Sequence, residues 1–411
     1  MKLVKSAALA AAVAFASVSG AAADSVKIAF IDPLSGPFGP SGQAGLNEWN
    51  YAAENINAKG GIGGQTVEII GLDNKVNPKE SLVQLQKAID QGVRFIAQGN
   101  GSSVASALID AIDKHNKRNP GQEILFINYA AVDPAFTNER CSFWHFRFDA
   151  DADMKMEAVT DWVKAQDSLK KVYIIGQDYS FGKAVAAAAV ANLTEKRPDI
   201  EIVGNELHPL GKVKDFTPYV QKIISSGADA VITGNWGADM VLLIKAAIDS
   251  GYKGPILTYY GGSKGAATAM GEAAVGQVKA IVEHNTNLSL GDAHTAYVDG
   301  YEAKFPDDNY YYHRIHNAMN MLAAAAEKAG STDPKAVAFA LEGMTFDSAT
   351  GTVTMRADNH QILQPMFMST FSKDVGHGVE NLPLGWASGD ADRIEAEATR
   401  TETTCKMDRP S

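Results

Sequence analysis

Two groups of loop residues in this chain have side chains suited to holding a small molecule. The stretch Gln98-Gly99-Asn100-Gly101-Ser102-Ser103 is small and hydroxylated, and it opens a helix-period segment. Backbone N–H groups left free at a helix start, beside serine hydroxyls, suit an anion such as a carboxylate. The other group is aromatic. Tyr179 and Phe181 lie in one loop, Trp236 in a second, and Tyr259 and Tyr260 in a third. Taken singly, each of these rings reads better as core. Five of them at three equivalent loop positions suit a flat apolar ligand.

Other patterns imply other chemistry. Gly261-Gly262-Ser263-Lys264-Gly265 matches G-x-S-x-G, the turn that presents a nucleophilic serine, and Asp292 with His294 or His313 supplies a matching chain order. No HGGG-type segment precedes it, and a chain with 37 glycines produces so short a pattern by chance. A serine hydrolase built on Ser263 is therefore a distant alternative. His313 and His316 stand three apart without an HExxH companion, so no metal site is expected. There is no Walker loop, no GxGxxG after a strand and no CxxC pair, and no cofactor is expected.

The elements that carry these loops alternate in kind. Nearly continuous apolar runs at 26–31, 67–70, 93–97, 124–127, 172–175, 230–232, 256–259 and 279–282 read as strands buried on both faces. Segments 45–58, 78–91, 104–117, 154–166, 181–196 and 238–249 have apolar residues three and four apart, which predicts helices. Such alternation means parallel sheets with right-handed crossovers. Eight units exceed one comfortable open sheet, so two are expected, divided at the acidic stretch Asp149, Asp151, Asp153. Further β segments are expected at 282–288, 352–355 and 366–371, and a long helix at 310–328. In open α/β sheets ligands gather where loops leave the carboxyl ends of strands, and both loop groups lie there.

Composition narrows the class. The 411 residues are 45% hydrophobic and 21% charged, a globular balance. The net charge of −11 argues against a general binder of nucleic acid or anionic lipid. Lys2 and Lys5, the apolar run 7–18 and Ala21-Ala22-Ala23 read as a secretory signal peptide over 1–23. No later run is long enough to span a bilayer, so an exported, soluble protein of a bacterial periplasm is expected. In an oxidising compartment Cys141 and Cys405 are expected to form one disulfide, the alternative being two unpaired thiols.

Three stretches carry a resemblance. Ile31-Asp32-Pro33-Leu34-Ser35-Gly36-Pro37, the helix ending Glu54 to Ile62, and Asp73-Asn74 followed by Pro78 closely resemble one family. It is the periplasmic solute-binding proteins of branched-chain amino acid ABC transporters, the Leu/Ile/Val-binding type. The resemblance implies an α/β, type I periplasmic binding protein fold, with two doubly wound lobes joined by three crossover strands and no catalysis. It implies an N-terminal lobe of 24–148 plus 283–356 and a C-terminal lobe of 149–282 plus 357–411. The resemblance implies that the family's serine loop falls at Gly101, Ser102 and Ser103, and its Ala-Ala-Thr loop at Ala130, Ala131 and Val132. Its ring positions map onto Phe181 and Trp236, with Tyr259 or Tyr260 beside them and Ser41 in the Gly/Pro loop.

Two departures change the expected ligand. Val132 replaces the threonine that helps hold an α-amino group, and its side chain cannot hydrogen-bond. The ammonium's acidic partner falls at or beside Tyr260, where the loop has no Asp or Glu. A buried ammonium without a carboxylate is costly. What remains resembles the family's aromatic-carboxylate branch, of the benzoate or hydroxycinnamate kind, as do the segments from Cys141 and at Cys405. Arg147 is expected to pair with Asp149 or Asp153, or to reach the ligand. The expected partners are thus a small aromatic acid, or an amino-acid-like ligand or amide as the alternative, and the membrane permease of an ABC importer. A monomer is expected.

Overall fold

Two parallel sheets form because their strands are apolar on both faces and must be covered by helices on each side. The computed structural model describes residues 25–410. The segment expected to be a signal peptide, 1–23, lies outside the described residues.

The first sheet contains β1 (Val26–Asp32), β2 (Val67–Asp73), β3 (Phe95–Gln98), β4 (Leu125–Asn128) and β5 (His145–Arg147), in the order β2-β1-β3-β4-β5 and all parallel. Helices α1 (Gly39–Asn57), α2 (Pro78–Asp90) and α3 (Ser102–Arg118) connect the first four strands. Asn77 caps α2 by accepting from the Lys79 and Glu80 N–H groups, with Pro78 at the first helical position.

The chain then crosses to the second lobe. It forms α4 (Ala152–Lys164), β6 (Lys171–Gln177), α5 (Ser180–Lys196), β7 (Glu201–His208), α6 (Thr217–Ser225), β8 (Ala230–Thr233), α7 (Gly237–Asp249), β9 (Ile256–Thr258), α8 (Ala266–Met270) and β10 (Val278–Val282). The parallel order is β7-β6-β8-β9-β10. In each lobe the first strand lies between the next two, β1 between β2 and β3 and β6 between β7 and β8. Ligand crevices form beside such strands, at β1/β3 and β6/β8.

After β10 the chain returns through α9 (Asp292–Lys304) to α10 (His313–Ala329), α11 (Pro334–Leu341), β11 (Thr345–Ser348) and β12 (Gly351–Met355). Ile315, Met319, Leu322, Leu341 and Val353 join the first lobe's core. β13 (Ile362–Leu363) pairs with β12 antiparallel, with Ile362 in the first core and Leu363 in the second. β14 (Met366–Ser372) then adds antiparallel to β10, flanked by β15 (Gly385–Ala387) and β16 (Arg393–Ile394). The tail runs back onto the first lobe. Cys405 is bonded to Cys141, with Cα atoms 5.6 Å apart, and Met407 packs against the first core.

Several local expectations are corrected. The β segment expected over 282–288 ends at Val282, because Glu283, His284 and Asn285 are buried polar residues engaged by side chains rather than by a ladder. The helix expected from 310 begins at His313. β7, α6 and α9 were not anticipated; β7 is a half-exposed edge strand without a clear apolar run. Arg147 pairs with neither Asp149 nor Asp153. It is fully buried, with Nη2 3.1 Å from Asp151 and Nε 2.6 Å from Gln361, and it binds the first crossing to the third.

Candidate functional site

The loops leaving β1, β3 and β4 face those leaving β6, β8 and β9 across a cleft with about 390 Å³ of open space. On the first-lobe side Ser41, Gly101, Ser102, Ala130 and Val132 line it, joined by Gly99 and Asn100. Gly101 is the N-cap of α3 at φ +101°, a conformation that favours glycine. Its carbonyl accepts from the Val104 and Ala105 N–H groups, so the N–H groups of Ser102 and Ser103 have no partner within the helix.

A buried cluster holds this loop from beneath. Asp32, at the end of β1, accepts from the Asn100 N–H at 2.9 Å, from Asn100 Nδ2 at 3.1 Å and from the Tyr129 hydroxyl at 2.5 Å. Burial raises its carboxyl to about 7, opposed by these hydrogen bonds. Sequence reasoning missed Asp32 as a support, although it begins the Asp32-Pro33-Leu34-Ser35-Gly36 signature.

The second-lobe side is aromatic. Phe181, at the start of α5, lies 6.1 Å from Tyr260 and 5.8 Å from Tyr179 between ring centroids. Trp236 donates its indole N–H to the Tyr179 hydroxyl at 2.8 Å. The loop carrying Trp236 is fixed by Gln177, which donates to the Trp236 carbonyl and to Asp239 at 2.9 Å. Asp239 also accepts from the Gly211 N–H at 2.8 Å.

Three expected residues sit off the cleft lining. Tyr259 turns into the second core, donating to the Ala152 carbonyl at 2.7 Å. Ala131 is buried, with its N–H on Asn128 Oδ1 at 2.7 Å. Ser103 lies one residue further along α3, half-buried. In their place stand Tyr311 and Tyr312, from the segment before α10. No strand-following loop marks them, so only their contiguous aromatic run could have drawn attention.

No charged side chain lines this cleft among the described residues. Asp149 is near, with Oδ2 3.4 Å from the Tyr260 hydroxyl, but it is already neutralised. Lys155 Nζ lies 2.9 Å from its other oxygen and Arg314 Nη1 lies 3.6 Å from Oδ2. Arg314 in turn pairs with Glu283 at 2.6 Å, and all four side chains are buried. This network joins the first two crossings. Its removal piece by piece would strand a buried charge, so it is held together tightly.

Ser263 is not in a nucleophile's setting. Its hydroxyl donates to the Tyr260 carbonyl at 2.8 Å and accepts from the Gly237 N–H at 3.3 Å. His294 is paired with His284 at 2.8 Å, and His313 with Tyr310 and Ser348, both at 2.9 Å. Among the described residues no group of His, Cys, Asp and Glu is arranged to hold a metal, and no helix is long and apolar enough to cross a membrane.

Comparison with known proteins places this architecture. Residues 25–375 match the family described as periplasmic binding protein. The chain is 31% identical over 407 residues to Leu/Ile/Val-binding protein homolog 4 of Brucella abortus (strain 2308), with 97% of each chain covered. Its fold is similar to the closed conformation of a leucine-, isoleucine-, valine-, threonine- and alanine-binding protein from Brucella ovis. The TM-score is 0.84 at 29% identity, with 94% of this chain and 100% of that one covered. A solute-binding protein from R. palustris in complex with benzoate has a TM-score of 0.77 over 93% of this chain and 100% of its own, at 19% identity, which speaks to the fold alone. With its two lobes of type I fold, the chain belongs to the periplasmic binding protein family.

Proposed function

We propose that this protein captures a small aromatic carboxylate, of the benzoate or hydroxycinnamate type, between its lobes and delivers it to the importer's permease. The signal peptide over 1–23 and lobe boundaries near 148, 283 and 356 belong to this reading. The carboxylate meets the Ser102 hydroxyl and the free N–H groups at the positive end of α3, with main chain at Ala130 and Val132 beside it. The ring lies against Phe181, Trp236 and Tyr260. Ligand touching both lobes favours the closed state, because only there are both sets of contacts made. The protein acts without chemistry on its ligand.

One observation carries the choice of ligand. The cleft has a helix N-terminus on one side and rings on the other, and the nearby carboxylate, Asp149, is already paired with Lys155 and Arg314. An α-ammonium would therefore be desolvated without a free counter-charge. Calorimetry against benzoate, 4-hydroxybenzoate, 4-hydroxycinnamate, leucine and valine tests this. The acids should bind at micromolar concentration or tighter and the amino acids more weakly; the reverse order refutes the reading.

A second reading is an amino acid of the branched-chain type. It is supported by the name of the Brucella abortus relative and by the 3.4 Å approach of Asp149 to the Tyr260 hydroxyl. It requires Asp149 to give up one of its two cations on ligand binding.

A further inference from the structure

The cleft does not end at Tyr311 and Tyr312. Together with Ser41 they also line a second chamber, with about 780 Å³ of open space. Val282, at the end of β10, and Thr286, just after it, line one part, and Lys264 and Ala267 of the second lobe line another. The partition between the chambers is firmly held. Glu48 of α1 accepts from the Tyr311 N–H at 2.9 Å and the Tyr312 N–H at 2.8 Å. A ligand that reaches past these rings meets the second set of lining residues.

The second chamber has a different polarity. Its lining contains one cation, Lys264, and three carboxylates, Asp307, Asp308 and Glu380. Lys264 Nζ is spent on Asp308 at 3.0 Å, whose other oxygen accepts from Asn47 at 2.9 Å. Glu380 accepts from the Gly265 and Thr268 N–H groups at 2.5 and 2.7 Å. Asp307 is exposed, and no hydrogen bond or ion pair engages its carboxylate among the described residues. The excess of negative charge rejects a second acid group. It suits a group that donates a hydrogen bond.

We propose that the bound molecule spans both chambers, with its acid at α3, its ring before Tyr311 and Tyr312, and a hydroxyl or amine at its far end donating into the second chamber. The inference rests on the aromatic-acid reading for its first half and on the second chamber's own lining for its far end. It makes the ligand longer than benzoate, with unlike polar groups at its two ends.

Calorimetry on the full chain tests it, using benzoate, cinnamate and 4-hydroxycinnamate beside valine, phenylalanine and tyrosine. Two variants accompany the wild type: Thr286→Phe, which fills the chamber from a half-buried loop position, and Asp307→Asn, at an exposed one. 4-Hydroxycinnamate should bind about tenfold tighter than cinnamate, and Asp307→Asn should remove most of that gain. Thr286→Phe should weaken 4-hydroxycinnamate about tenfold and leave benzoate within about twofold. If only the amino acids bind, the aromatic-acid reading falls, and the same long-to-short ratio among valine, phenylalanine and tyrosine decides on the chamber. The proposal is overturned if, in the series that binds, the long hydroxylated member is no tighter than the short one. Equal weakening of long and short members by Thr286→Phe overturns it as well.

Discussion

Phe38 of the first lobe lies against Trp236 of the second, with ring centroids 4.3 Å apart and planes at 37°. Phe38 is at the end of the short turn after β1, yet it is buried in the second lobe's core cluster. Gly237, at φ +57°, leaves it room: a Cβ there would come within 2.6 Å of the Phe38 ring. The lobes are thus joined directly by an apolar contact beside the cleft, and Trp236 serves both the cleft wall and the closure.

Phe38→Ala should therefore loosen closure without altering which ligands are preferred. Phe38 is not part of the cleft lining. All ligands should lose affinity by a similar factor, roughly three- to tenfold, because the competent closed state becomes less populated. Small-angle scattering of the ligand-free variant should show a larger radius of gyration. A change confined to one ligand class would contradict this assignment.

Trp236→Ala should weaken aromatic ligands more than Phe38→Ala does. It removes the closure contact and, in addition, a ring stacked on the ligand, worth about 0.5–1.5 kcal/mol beyond area burial. The expected loss in affinity is at least about tenfold. Titration calorimetry with benzoate and 4-hydroxycinnamate measures it, and unchanged affinity would remove Trp236 from the proposed site.

Asp32 sets a pH dependence of stability. Its folded carboxyl is raised from 3.8 to about 7, so between those values the folded state holds a proton that the unfolded state has released. Stability from this group is fully present below about pH 4 and declines as pH rises through about 7. Asp32→Asn abolishes the decline. Relative to wild type, the variant should gain about 2–4 kcal/mol on going from pH 4 to pH 8. Urea unfolding at both values reads it out. Glu48, raised to about 8, and Asp153, raised to about 7, act in the same direction in both proteins, so the comparison isolates Asp32.

The Cys141–Cys405 bond closes a loop spanning 264 positions and ties the tail to the first lobe, away from the cleft. Cys405→Ser should lower stability by about 2–4 kcal/mol. Ligand affinity should stay within about twofold of wild type, since neither cysteine lines either chamber. Thermal unfolding with and without reductant gives the first, calorimetry the second.

What the chain reveals by itself follows from local rules. Buried strands are continuous apolar runs, and ligand loops follow their carboxyl ends, so Gly101, Ser102, Phe181, Trp236 and Tyr260 are legible one loop at a time. The two-lobed fold follows from the same alternation together with the Asp32-Pro33-Leu34-Ser35-Gly36 signature.

Tertiary structure alone decides the rest, because it depends on residues brought together across the crossings. Tyr311 and Tyr312 reach the cleft from beyond β10, held by Glu48 more than 260 positions earlier in the chain. Asp149 approaches Tyr260 but is neutralised by Lys155 and Arg314, one of them nearby in sequence and the other far away. Tyr259 and Tyr260 are adjacent and alike in type, yet one turns into the core and the other into the cleft. Which way a side chain points at the end of a strand is set by the packing of the whole lobe, and periodicity along the chain does not encode it.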